Sequence, residues 1–170
     1  MRNWSQVAVS LCVIAWLTLA GAGPRVEAAE RHPLPDVAVR TTDGASLTLS
    51  HLAQDGNWLL IYVTESSVAS ARLLDALERW QVDGTGRVAV LVGDPPASAG
   101  AYISKHRDRL PGVRWAIDAD RSAWRALQLR GVPVLLGAVG PDVEWKLAGV
   151  LNDPSALEAV VRSWIDPKVR

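Results

Sequence analysis

Trp58-Leu59-Leu60-Ile61-Tyr62-Val63-Thr64-Glu65-Ser66-Ser67-Val68-Ala69-Ser70-Ala71-Arg72-Leu73-Leu74-Asp75-Ala76-Leu77 changes its hydrophobic period midway. Trp58 to Val63 is an unbroken apolar run rich in strand formers, the pattern of a strand buried on both faces of a sheet. From Val68 to Trp80 the apolar residues Leu73, Leu77 and Trp80 fall on one stripe, which predicts an amphipathic helix. Between the two lie Thr64, Ser66 and Ser67, whose hydroxyls suit the first turn of a helix because they accept hydrogen bonds from its free N–H groups. Glu65 nearby is favoured by the helix dipole. A buried strand feeding directly into such a helix is the start of an α/β layer structure.

Outward from this unit the same punctuation repeats. Asp83-Gly84-Thr85-Gly86 ends the helix, and Arg87 to Val92 is a second buried strand. Asp94 as N-cap with Pro95-Pro96 in the first turn opens a helix reaching roughly His106. Val113 to Ile117 forms a short strand, and Asp118-Ala119-Asp120 precedes a helix over about 121–129. After the break at 130–133, Val134 to Val139 and Glu144 to Val150 make a hairpin across Gly140-Pro141-Asp142. The closing helix has Asp153 as N-cap and Pro154 at its first position, with Leu157, Val160, Val161 and Trp164 on one face. Upstream, Val37 to Arg40 and Leu47 to Leu49 flank the turn Thr42-Asp43-Gly44, and Ser50 to Ala53 is a short helical turn. The order predicts an α/β sandwich with a mixed sheet.

The quoted segment resembles the active-site segment of the TlpA-type bacterial envelope redoxins, a thioredoxin-like family. In that family the strand ends in Trp-Cys-x-x-Cys and the same helix follows. Laid over this chain without a gap, the cysteines fall on Ser67 and Ser70 and the tryptophan on Ser66. Leu34-Pro35-Asp36-Val37 resembles the family's opening Ala-Pro-Asp-Phe. Thr42-Asp43-Gly44 to Leu52 resembles its first hairpin, and Asp118 to Gln128 the segment before its proline loop. Leu129-Arg130-Gly131-Val132-Pro133 resembles the Val-x-Gly-x-Pro loop, whose proline is cis. Gly140-Pro141-Asp142 to Gly149 resembles the hairpin after it. The likeness spans residues 34–165. It implies a thioredoxin-like three-layer sandwich with a central mixed sheet and an N-terminal hairpin, over residues 36–166. It also implies that Val132 sits beside Ser67, in a groove where the residue before Pro133 offers backbone groups to an extended peptide. Ser67, Ser70, Val132 and Pro133 are the candidate binding residues, the two serines standing at the vestigial dithiol positions.

The chemistry departs from that family. A thiol can be tuned into a thiolate nucleophile, whereas a serine hydroxyl needs a general base beside it. The single cysteine, Cys12, lies in an apolar run near the N-terminus, so the domain carries no thiol. His32, His51 and His106 are not placed near Ser67 by the family layout. No His-x-x-His pair occurs, and Asp118 with Asp120 lacks a third metal ligand. Asp83-Gly84-Thr85-Gly86 follows a helix, which is the wrong context for a phosphate loop. No catalytic residue, metal or small-molecule cofactor is therefore expected.

Composition narrows the class further. With 49% hydrophobic and 21% charged residues the chain should be globular. Eighteen basic residues balance eighteen acidic ones, so nothing argues for nucleic acid. Eight Trp and no Phe imply that Trp fills core positions; an exposed patch among Trp80, Trp115, Trp124 or Trp145 is the alternative. At the N-terminus, Arg2, the apolar run Val7 to Ala22 and Val26-Glu27-Ala28 have the layout of a signal peptide cleaved after Ala28. An uncleaved membrane anchor over 1–28 is the alternative, with residues 29–35 as a tether. Together these features predict a periplasmic or otherwise extracytoplasmic domain, soluble or anchored. Its expected role is that of a binding, assembly or accessory subunit for an envelope protein or membrane complex. Two alternatives remain, an oxidoreductase acting without its own dithiol and a membrane-anchored structural subunit.

Overall fold

The structure, a computed structural model, describes residues 26–82, 86–149 and 153–166, with backbone only for 26–31. Three parallel strands form the centre: β4 (Gln54–Val63), β5 (Val88–Val92) and β6 (Arg114–Ile117). Around them are β1 (Val26–Pro33), the hairpin β2 (Ala38–Thr41) and β3 (Ser46–Thr48), and the hairpin β7 (Val134–Gly140) and β8 (Asp142–Ala148). The single sheet has the order β1-β8-β7-β4-β5-β6-β2-β3, with every pairing outside the centre antiparallel.

Alternation along the central strands divides the core in two. Leu59, Ile61 and Val63 of β4 face a cluster with Leu73, Leu74 and Leu77 of α1 (Val68–Arg79). Ile103 of α2 (Pro96–Arg107) and Leu157 and Val161 of α4 (Pro154–Ile165) join the same cluster. Trp58, Leu60 and Tyr62 face the opposite layer, made by the 3₁₀ turn Leu49–Leu52 and α3 (Ser122–Ala126). Both faces of β4 are apolar because both are covered, as the unbroken run predicts. The expected three-layer α/β sandwich with its mixed sheet and N-terminal hairpin is what forms. Gly44, at φ +89°, supplies the left-handed residue that the turn of that hairpin needs.

Several local expectations are corrected. Asp94 does not cap α2: Pro95 holds that position, and the Asp94 carboxylate instead accepts a hydrogen bond from the Glu65 N–H at 2.7 Å. The helix expected over 121–129 is only Ser122–Ala126, because Arg121 and Gln128 take left-handed backbone at φ 57° and 52° and bracket it. Val160 does not share the buried face of α4; it is exposed, lying at the edge of the 157, 161, 164 stripe, about 100° around the helix from Val161. Strand β4 starts at Gln54, four residues before the apolar run, and pairs through a bulge between Gln54 and Asn57.

Of the segment expected to be a tether, residues 29–33 belong to β1, which pairs antiparallel with β8. The unpaired N–H and C=O groups along the outer edge of β8 are the physical reason a polar, proline-bearing segment takes strand form. None of the six described tryptophans is exposed. Trp58, Trp80 and Trp115 are buried, and Trp124, Trp145 and Trp164 are half-buried against the two clusters. The surface-aromatic alternative fails for them, since large apolar rings are more stable packed than hydrated. The apolar run Val7 to Ala22 and most of the break at 83–86 lie outside the described residues.

Candidate functional site

The sheet register sets where the candidate residues meet. Tyr62 pairs with Val134, so Pro133 lies at the end of the sheet where β4 stops and α1 begins. The Val132–Pro133 peptide bond is cis, as the resemblance implies. The Pro133 carbonyl accepts a hydrogen bond from the Gly149 N–H at 2.9 Å, which ties this loop to the end of β8. Pro133 is buried and Val132 half-buried, packed against the α3-side cluster.

Ser67 is the N-cap of α1, with extended backbone at φ −91°, ψ 113°. Its Oγ accepts from the Ser70 N–H at 3.2 Å, satisfying one of the free donors of the first turn. Ser70 is fully buried, and its Oγ accepts from the Thr64 N–H at 3.3 Å. The two hydroxyls therefore act in series, each receiving a backbone donor of the β4–α1 junction. Of the three hydroxyl residues read as capping candidates, Ser67 makes the cap; Thr64 and Ser66 do not. Beside them Val68 is 67% exposed, a large apolar side chain at the helix tip.

Behind this surface sits a buried polar cluster. Asp118 is fully buried, and its carboxylate accepts from the Tyr62 hydroxyl at 2.9 Å, Ser122 Oγ at 3.2 Å, Ala123 N–H at 3.1 Å and Trp124 N–H at 2.9 Å. The four donors supply what a desolvated carboxylate requires. Burial, and next the Asp118 charge, push the Tyr62 hydroxyl well above its ordinary range, so it stays a donor. The Tyr62 and Trp124 rings stand 5.4 Å apart.

The chemical capacity follows from these partners. No hydrogen bond of Ser67 or Ser70 reaches a histidine; His51 is bonded to Thr48 and His106 is buried against Tyr102. Without a base a serine hydroxyl is a poor nucleophile. Asp118 serves α3 and Tyr62 rather than a metal, and among the described residues no group of three ligating side chains gathers.

No protein-family model and no curated protein matches the chain. Solved structures do. The secreted Mycobacterium tuberculosis disulfide oxidoreductase homologous to E. coli DsbE superposes with TM-score 0.60 at 13% identity, over 75% of this chain and 96% of that one. DsbF of MTB gives 0.60 at 12% identity, over 76% and 95%. The exposed lipoprotein thioredoxin of Streptococcus pneumoniae gives 0.56 at 12%, over 76% and 99%. The fold is thioredoxin-like. In this thioredoxin-like frame Ser67, Val132 and Pro133 come to one end of the sheet, while Ser70 is turned inward.

Sequence reasoning did not find the groove between α1 and α4. About 450 Å³ in volume, it is lined in part by Arg72, Arg79 and Pro133. The only sign in the sequence was two arginines seven residues apart on the helix following Ser67.

Proposed function

We propose that the chain is an exported thioredoxin-fold domain that works by binding another envelope protein or membrane complex, as an assembly or accessory subunit, without thiol–disulfide exchange of its own. The observation that carries this reading is the use made of the two serines. At the positions aligned with a dithiol, both hydroxyls accept backbone hydrogen bonds, and one is fully buried. The helix start is thus built as a fixed junction, with no redox group in it. The proteins of similar fold include a disulfide oxidoreductase and a thioredoxin, yet this chain has a single cysteine, at position 12.

The binding surface in this proposal is the helix tip, with half-buried Ser67 and exposed Val68, together with Val132 and Pro133, Ser70 supporting it from beneath. Such an edge holds an extended segment through backbone hydrogen bonds. The apolar run from Val7 to Ala22 supports export. No helix among the described residues is long and apolar enough to cross a membrane.

Two measurements test the proposal. The purified protein should show no insulin reduction beside a cysteine-bearing homologue as positive control; activity at the control's level would sink it. In a pull-down from envelope extract, Val132→Asp should lower partner capture several-fold with an unchanged circular dichroism spectrum, since a charge there opposes desolvation of the contact. Undiminished capture would remove this edge as the binding surface.

A further inference from the structure

The groove between α1 and α4 is chemically unlike the helix tip. Leu73, Ala76 and Leu157, all buried, line it together with Pro133. Arg72 and Arg79 also line it, and both are exposed. Neither makes an ion pair with any described residue. The nearby carboxylates do not compensate them. Asp75 also lines the groove, but its carboxylate is paired with Arg109 at 3.2 Å, and Asp153 spends its carboxylate on the Ser155 and Ala156 N–H groups at 2.9 and 3.2 Å. An electroneutral chain therefore carries, on one groove, two guanidinium groups with no ion-pair partner among the described residues and a single carboxylate already paired elsewhere.

We propose that this groove binds an extended acidic segment of a partner protein, presenting two carboxylates three residues apart with an apolar side chain between them. Guanidinium forks pair with carboxylates in bidentate fashion, which favours this charge over a neutral peptide. Arg72 and Arg79 are two helical turns apart, about 10.5 Å along the axis. A polyproline-type segment advances ~3.1 Å per residue with three residues per turn, so acids three apart lie on one face about 9 Å from each other. The apolar side chain between them meets Leu73, Ala76 and Leu157. The inference rests on the reading of the domain as a binding module and names the chemistry of its partner; Ser67 and Val132 take no part in it.

The test uses the full-length chain and three dye-labelled peptides, Gly-Asp-Leu-Pro-Asp-Leu-Gly and its counterparts with Ser or Lys at both Asp positions, read by fluorescence anisotropy at low salt. The acidic peptide should bind at least tenfold more tightly than the Lys peptide and lose affinity as salt rises. The double change Arg72→Gln and Arg79→Gln should abolish the preference, and Arg72→Glu with Arg79→Glu should reverse it. Both positions are exposed, so the fold survives these changes. Equal affinities for the three peptides, no binding of the acidic one at millimolar concentration, or a preference indifferent to the arginine changes would overturn the inference. Equal affinities together with a Val132-dependent pull-down would remove this groove alone and leave the binding module standing. An intact acid preference with a failed Val132 test would do the reverse.

Discussion

Ser67 and Ser70 differ in what their removal exposes. Ser67→Ala deletes an N-cap acceptor at a half-buried position, a loss typically of about 1 kcal/mol, and Ser67→Asp should retain most of the stability. Ser70→Ala leaves the Thr64 N–H without its acceptor in a buried setting, which costs about 1–3 kcal/mol. Urea denaturation should therefore rank Ser70→Ala below Ser67→Ala; the opposite order would mean the junction is not held as described. His106 offers a second residue-scale prediction. It is 3% exposed, packed on Tyr102 with rings 4.8 Å apart, and its Nε2 has no hydrogen-bond partner among the described residues. Burial, then Arg109 and Lys105, hold its pKa below the ordinary 6.5, against the opposing charges of Asp75 and Glu78. The unfolded chain thus takes up the proton first, and acidification favours unfolding. Stability from this group is complete above pH 6.5 and is lost as pH falls from there through the folded-state pKa. Thermal unfolding between pH 8 and 5 should show that decline, and His106→Phe should flatten it. An equal decline in the variant would assign the effect to other groups.

At the level of elements, the loops after β4, β5 and β6 are locked to one another. Glu65 after β4 donates to Asp94 after β5, and Tyr62 of β4 donates to Asp118 after β6. Asp118 in turn holds the first turn of α3 through Ala123 and Trp124. Gly93 fits this arrangement because a Cβ there would overlap the Tyr62 hydroxyl, which cannot swing away without leaving Asp118. Gly93→Ala should therefore cost about 2–4 kcal/mol, combining overpacking with a lost bond to a buried carboxylate. In a Tyr62→Phe background the same change should cost less, because the bond to Asp118 is already absent and the ring, whose Cε1 and Cζ still meet the added Cβ at 2.6 Å, is free to shift. Additive losses in the denaturation cycle would refute the coupling. This lock explains how a short helix such as α3, bracketed by two left-handed residues, keeps its place. It also fixes the end of the sheet at which Ser67, Val132 and Pro133 lie.

On the scale of the whole molecule, β1 is the least expected feature and the easiest to probe. A chain beginning at Leu34 leaves the outer edge of β8 open, and such edges pair with other chains. It should form higher-order species in size-exclusion chromatography where a chain beginning at Val26 remains a single species; identical profiles would show that β1 does not protect the edge. The sequence alone determined what depends on neighbours a few residues away. The apolar run of β4, the α1 stripe of Leu73, Leu77 and Trp80, the Gly44 turn and the Asp153-Pro154 start of α4 all rest on local periodicity or capping, and all formed. The absence of a thiol in the domain is likewise a property of composition. Tertiary structure decided the rest. Asp94 looked like a cap because caps are read locally, but its partner, the Glu65 N–H, is 29 positions away. Residues 26–33 carry no apolar alternation, and only the open edge of β8 makes them a strand. The groove bearing Arg72 and Arg79 exists only because α4 and Pro133 come to lie against α1. Local preferences are set by backbone sterics and short-range hydrogen bonds, whereas edges, grooves and buried charges are created when distant segments exclude water together.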